Sequence, residues 1–385
     1  MINKKTEIEH LNKITDLWKK GLFKDALALS QLSKLKNPNI DKIAYFHNIK
    51  GLVNLSLKDW SAAIVDFNKA IDLDIKFHPA HFNLALAFYD IGNLKQSYLK
   101  FLDVLKIDKD NKRAQENIIK ILNCINIVSN NDNPFLLANN ELQKLSLNID
   151  FSLKITDQEV LSLYNKSKLI VSRFISDFTF REHQLFFHNA VDLNCERHFI
   201  IFRKHNTISK SCFSCFKIVI HLYGGVLDII KLSLIFNHFT FLDNLEMKCR
   251  IDFDNKYYRG YIYCSSIEEL QNIKQKINKI LGRTFNKNFK IEARRGCSEF
   301  SKVYPEFGDI NDNQKNMTFY NKEWAQAESL VDHQIYKDNV PKLRDAQKPL
   351  KNITLNYFLI INNWVNFAKS INDSDAQKIE LNHKK

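Results

Sequence analysis

Hydrophobic and polar positions follow two different periods along this chain, and each period marks out a region. Between Cys195 and Cys297 the pattern resolves into six elements. Phe216–Leu222 is a short β-branched run and reads as a strand, whereas Val226–Phe239 is largely apolar with Asp228, Lys231 and His238 on its polar side and reads as a helix. Leu245–Phe253 alternates. Leu245, Met247, Cys249, Ile251 and Phe253 fall on one face and Glu246, Lys248, Arg250 and Asp252 on the other, which predicts a strand with one buried face. A turn at Asp254, Asn255 and Lys256 returns the chain into a strand over Tyr257–Cys264. Ser266 and Glu269 then form a capping box for a helix carrying Ile267, Leu270, Ile273, Ile277 and Leu281, which Gly282 is expected to close. Phe289–Arg294 alternates again and supplies the last strand.

The resulting order, βαββαβ over about residues 213–297, is the split-βαβ or ferredoxin-like arrangement. It predicts a sheet ordered 4-1-3-2, with the first strand parallel to the third and antiparallel to the fourth.

The front of the chain carries the other period. Gly51, Ala63, Phe67, Ala70 and Ile71 recur thirty-four positions later as Ala85, Ser97, Phe101, Val104 and Leu105. Residues 83–111 hold a small residue (Ala85), an aromatic (Phe88) and a turn glycine (Gly92), and residues 44–77 give a second copy. A more worn copy covers about 7–40, with Leu17, Gly21, Ala26 and Pro38 in the corresponding places and three extra residues before the next. Small residues suit the points where paired helices cross, because larger ones would force the pair apart. The pattern resembles the tetratricopeptide repeat (TPR) over about residues 7–128, with Asn111–Val128 as a capping helix. That resemblance implies an α superhelical repeat whose first helices line a concave groove for a peptide or a partner protein's helix. The groove positions would be Leu11, Thr15, Tyr45, Asn48, Leu52, Phe82, Leu86 and Tyr89. They lack the cluster of Lys and Arg with which the chaperone-binding subset of the family clamps a terminal carboxylate.

Residues 129–155 are rich in Asn, Asp and Ser and read as a linker between this module (1–128) and a cysteine-containing α+β domain (156–320). C-terminal helices follow over 321–371, among them a buried helix from Ile353 to Ser370, and the polar tail 372–385 is expected to be disordered. The amino terminus has no apolar signal core, so a cytoplasmic protein is expected. Asn356, Asn362 and Asn363 interrupt the apolar stretch Ile353–Phe367, so no membrane span is expected. A formal charge of +13 and a pI near 9.2 would suit a polyanion. Abundant Asn, Ile and Lys beside 9 Gly and 6 Pro are, however, what an AT-rich bacterial genome writes at tolerant surface positions, so the charge is read chiefly as solvated surface.

Seven cysteines, an odd number, argue against a disulfide framework and leave metal ligation or plain burial. Cys195-x-x-His198 followed by Cys212-x-x-Cys215 offers two ligand pairs for a structural zinc ion. A second set, Cys212, Cys215, Cys297 and Cys264, would suit zinc or an iron–sulfur cluster, although a parallel third strand would carry Cys264 to the far end of the sheet. Cys249 belongs to the core and Cys124 to the capping helix. Arg259, Tyr261 and Tyr263 share one strand parity and resemble the central-strand motif of RNA-recognition (RRM) domains, in which a basic group meets phosphate and rings stack on bases. Val219 stands where that family's first strand has an aromatic. No GxxxxGK[ST], HExxH or GxSxG motif occurs, and Gly224-Gly225 reads first as a turn and second as a phosphate cradle at a helix amino terminus. The function expected is protein–protein interaction or scaffolding. The alternatives are RNA binding on the open sheet face and a metal- or iron–sulfur-dependent enzyme of unrecognised type.

Overall fold

The computed structural model describes residues 2–128, 132–145, 155–176, 178–187, 195–238, 242, 245–253, 257–286, 288–310, 319–335 and 348–381. It divides into two compact units, residues 1–121 with 330–347 and residues 122–329 with 348–385. The first boundary falls at 121/122, not 128/129 as the composition suggested.

The first unit is helical: α1 (Ile2–Lys19), α2 (Phe23–Lys36), α3 (Ala44–Ser56), α4 (Trp60–Leu73), α5 (His78–Asp90), α6 (Leu94–Ile107) and α7 (Lys112–Leu122). Side chains punctuate it. Asp59 accepts from the Ala62 N–H and Asn93 from the Gln96 N–H, capping α4 and α6. The turns after α1 and α5 need a left-handed residue, supplied by Gly21 and Gly92, both at φ +75°. After α3 the same turn is made by Lys58 at φ 61°. Within each pair the helices approach closely. Ser97 Oγ donates to the Ala85 carbonyl at 2.8 Å, and a Cβ at Gly51 would come within 2.5 Å of the fully buried Phe67 ring. Gly51→Val should therefore cost about 1–3 kcal/mol by overpacking, read as a lower thermal midpoint of the full chain. An unchanged midpoint would show that the crossing has slack.

A charged network threads the same helices. The Asp66 carboxylate accepts from Lys50 Nζ at 2.8 and 3.1 Å and from Asn54 Nδ2 at 2.8 Å, and His47 lies between it and Asp41.

The second unit opens with α8 (Pro134–Gln143) and α9 (Asp157–Ser172), followed by β1 (Gln184–Phe187) and α10 (Cys195–His205). Then come β2 (Phe216–Leu222), α11 (Val226–His238), β3 (Glu246–Asp252), β4 (Tyr257–Cys264), α12 (Ile267–Phe285) and β5 (Phe289–Arg295). Helices α13 (Lys322–Ile335), α14 (Leu355–Ser370) and α15 (Ser374–Leu381) complete the chain. The strands form one sheet ordered β1-β3-β4-β2-β5, with every neighbouring pair antiparallel. The expectation of a parallel pair is corrected here. The crossover through α11 leaves β2 and β3 pointing the same way, and the β3–β4 hairpin then reverses β4 against β2. Phe216 consequently pairs with both Cys264 and Arg295. A fifth strand, β1, lies along the β3 edge and had no counterpart in the sequence pattern.

Helix α11 is buried from Val226 to Asn237, between β3 and β4 on one side and α9 and α14 on the other. Ser233 and Tyr357 join α11 to α14 through a 2.7 Å hydroxyl pair, and the fully buried Trp364 donates from Nε1 to the His183 carbonyl at 2.9 Å.

Three further expectations change. The stretch 129–155 is not a linker throughout. Asn133 caps α8 through the Phe135 and Leu136 N–H groups, Phe135, Leu136 and Leu142 are buried, and Asn139 accepts from the Leu355 N–H. Residues 129–131 and 146–154 lie outside the described residues, as does the turn at Asp254, Asn255 and Lys256. Gly282 does not close α12, which runs on to Phe285 and ends at Asn286 in a left-handed conformation. The segment 372–385 is not a disordered tail as far as it is described, because α15 buries Ala376 and Ile379; residues 382–385 lie outside the description. No helix among the described residues is long and apolar enough to cross a membrane.

Candidate functional site

The thiols gather at one end of the sheet. Cys195 and His198 occupy the first turn of α10, and three-residue spacing puts both on one helix face. Cys212 lies in a 3₁₀ turn, Lys210–Ser214, and the Cys215 N–H closes that turn on the Cys212 carbonyl at 3.3 Å. Cys215 then enters β2, where its carbonyl accepts from the Gly296 N–H at 2.7 Å, so Cys297 sits beside it across the β2–β5 pair. The Cys195 thiol is hydrogen-bonded to Cys297, and Cys212 Sγ lies 3.4 Å from His198 Nδ1.

An aromatic shell and a carboxylate hold these segments. Phe199, Phe202, Phe213, Phe300, Phe307 and Trp324 pack with Ile208 and Cys212. Glu328 of α13 accepts from Ser209 Oγ at 2.6 Å, Tyr320 Oη at 2.6 Å and the Lys210 N–H at 3.2 Å, and pairs with Arg197 at 2.8 Å. Burial alone would raise this carboxyl, but the four donors hold it down at about 2. The Cys195 hydrogen bond holds the Cys297 thiol down at about 7 against burial, with Lys217 and Lys248 favouring its thiolate. Burial pushes Cys215 up to about 11 and Cys212 higher still, while Cys195 is raised first by its bond to Cys297 and then by burial.

Of the four residues expected to meet, Cys212 touches His198, while Cys195 meets Cys297 instead of either member of the second pair. Among the described residues no three His, Cys, Asp or Glu side chains converge closely enough to hold a metal ion as they stand. In the second expected set, Cys264 does reach the correct end of the sheet, because β2 and β4 are antiparallel. It takes the face of Gly260 and Ile262, the face that α11 covers, and is buried there. Cys249 is fully buried, and burial pushes the Cys124 thiol up to about 12.

The opposite face of the sheet carries the expected RNA residues, with one of its two rings buried. Tyr261 is only 5% exposed; Lys248 and Arg250 stack on it at 5.3 and 5.1 Å, and Lys248 also lies 5.9 Å from the Tyr263 ring centre. Arg259 pairs with Asp252 at 2.9 Å and His221 with Glu292 at 3.2 Å. Tyr261 thus has no open ring face, while Tyr263 is half-buried. The Gly224-Gly225 turn is also taken. Asp375 of α15 accepts from the Leu227 N–H at the start of α11, placing a carboxylate of the chain where a phosphate would have bound.

In the first unit, the hydroxyls of Thr15 (α1) and Tyr45 (α3) are 3.2 Å apart, and Asn83 (α5) donates to Asn48 (α3) at 2.8 Å. These bonds lace α1, α3 and α5 side by side. Tyr45 is 40% exposed, and Thr15, Leu52, Leu86 and Tyr89 are half-buried. Leu11, Asn48 and Phe82 are buried. Phe82 is corrected from groove to interior, since it packs edge-on against Phe101 at 5.2 Å and carries Arg113 over its ring at 4.7 Å. Its neighbour Asn83 is the residue that reaches α3.

The chain matches no family model, and no curated protein sequence is similar to it.

Proposed function

We propose that helices α1–α7 form a tetratricopeptide-type array and that the chain acts as an interaction or scaffold protein, capturing a segment of another protein along α1, α3 and α5. The observation that carries this reading is the side-by-side lacing of those three helices through Thr15–Tyr45 and Asn48–Asn83, which leaves Tyr45 exposed in a row with the half-buried Leu52, Leu86 and Tyr89. A surface of that kind offers tyrosine side chains, a residue type enriched among binding anchors. The left-handed turn recurring at Gly21, Lys58 and Gly92 supports three copies of one helix-turn-helix unit. The order β3-β4-β2-β5, with α11 and α12 as crossovers, supports the ferredoxin-like reading of the second unit's core.

The test is a comparative pull-down with the full chain and a Tyr45→Ala, Tyr89→Ala double variant, followed by affinity measurement on any partner recovered. Phe82 is left intact because its loss would disturb the interior. A partner lost from the variant, at unchanged helical content, supports the groove. Identical partner sets and affinities would sink it.

A further inference from the structure

From the donors gathered at the end of the sheet we infer a second site, independent of the helical groove: Cys195, Cys212, Cys215 and Cys297 are the four thiolate ligands of one Zn²⁺ ion, and His198 stands outside the ligand set, hydrogen-bonded to the Cys212 sulfur. Four segments deliver the sulfurs: the first turn of α10, the 3₁₀ turn before β2, the residue that enters β2 and the second residue beyond β5. Register and contact join them. Phe216 pairs with Arg295, the Gly296 N–H is bonded to the Cys215 carbonyl, Cys195 is bonded to Cys297, and His198 reaches Cys212 from the same helical turn as Cys195. Soft, borderline donors in this number suit Zn²⁺ in a closed structural site.

Two buried ammonium groups favour a thiolate-rich set, and His198 is engaged with the Cys212 sulfur. Lys217 is 6% exposed, and Lys248 lies among the rings of Phe186, Tyr261 and Tyr263. Among the described residues no carboxylate stands within ion-pair distance of either ammonium. Both lie in the field of Cys297. Zn²⁺ with four thiolates carries two negative charges, which Lys217 and Lys248 offset in the company of Arg294 and Glu299 around Lys217, Arg250 beside Lys248 and Glu246 near Cys215. As placed, no three of these side chains stand close enough to hold a metal ion, so binding itself must draw the four segments onto one centre. That coupling of binding to local closure is usual for structural zinc.

Zinc is measured by elemental analysis on the purified full chain, as isolated and after chelation and re-addition of Zn²⁺ alone. About one ion per chain is expected, falling to near zero in Cys297→Ser. His198→Gln should keep full stoichiometry with roughly 10–100-fold weaker affinity, the usual effect of losing an outer hydrogen bond. Zinc kept by Cys297→Ser but lost from His198→Gln overturns the four-thiolate set. Failure to take up Zn²⁺, or iron with acid-labile sulfide, overturns the zinc site. A folding defect in Cys297→Ser would imitate metal loss, so Co²⁺ is also placed in the unsubstituted chain. The ligand-field spectrum of a tetrahedral four-thiolate centre is expected, and a mixed nitrogen–sulfur spectrum would overturn the assignment.

Discussion

Glu328→Ala is expected to destabilise the second unit by about 3–5 kcal/mol, the usual effect of removing one partner from a buried ion pair. The carboxylate side chain is 11% exposed and its Arg197 partner 15%. Its loss takes an acceptor from Ser209, Tyr320 and the Lys210 N–H at once, and so loosens the turn that presents Cys212. Urea unfolding followed by near-ultraviolet circular dichroism reads the effect, since Phe213, Tyr320 and Trp324 pack beside the carboxylate. An unshifted midpoint would mean that the carboxylate is solvated. The same group sets a pH dependence. Its folded pKa, about 2, lies below the ordinary 4.5, so its contribution is fully present above about 4.5 and is lost as pH falls through about 2. Glu328→Gln should flatten that acid limb.

In the first unit the corresponding change is Asp66→Ala, expected to cost about 3 kcal/mol. Asp66 is 5% exposed at its side chain and collects Lys50, Asn54 and His47 between α3 and α4. Burial acts to raise its pKa, but His47 and Lys50 lower it on balance. Nearby, Asp41 is held at about 2, where burial is outweighed by Lys69 and Lys34. Both carboxyls are depressed in the folded state, so this unit too gains its share of stability above the ordinary carboxylate range and loses it as pH falls toward 2. Thermal melts of wild type and Asp66→Ala between pH 2 and 7 check both points. Curves that stay parallel across that range would remove Asp66 from the account.

The helical half of the fold was legible because packing repeats. A crossing that accepts only a small residue recurs at Gly51 and Ala85, and a left-handed turn recurs at Gly21 and Gly92. The middle turn was harder to see, since Lys58 takes that backbone without the glycine that would advertise it. Polar residues misled twice. Asn133 and Asn139 read as loop, but one caps α8 and the other accepts from the backbone of α14; Asp373 and Asp375 read as solvated tail, but they bind Tyr258 and the start of α11. Composition does not distinguish a polar side chain that finishes a helix from one that meets water.

At the thiol site the spacing of Cys195, His198, Cys212 and Cys215 identified the neighbourhood. The antiparallel pairing of the first and last core strands also placed Cys297, eighty-two positions downstream, beside Cys215; what the spacing did not show is that Cys195 meets Cys297. Phe82 and Asn83 show a finer limit. Both fall near the inner face of α5 by period, and only the neighbouring Phe101 and Asn48 decide which one is buried.

Helix α15 has a consequence for how the protein is made. Its Ala376 and Ile379 lie in the interior of the second unit, and its Asp375 caps the helix that covers the sheet. Synthesis proceeds from the amino terminus, and the apolar clusters of α1–α5 draw on residues 11–88 alone. Those helices can therefore pack while the ribosome is still translating the sheet. The sheet's own covering is finished only after Leu381 has emerged, roughly 260 residues behind Ile121, or on the order of tens of seconds at about 5–20 residues per second. During that interval α11 lacks the Asp375 carboxylate at its amino terminus and part of its apolar coat, so the nascent second unit is the part of this protein that exposes apolar surface longest.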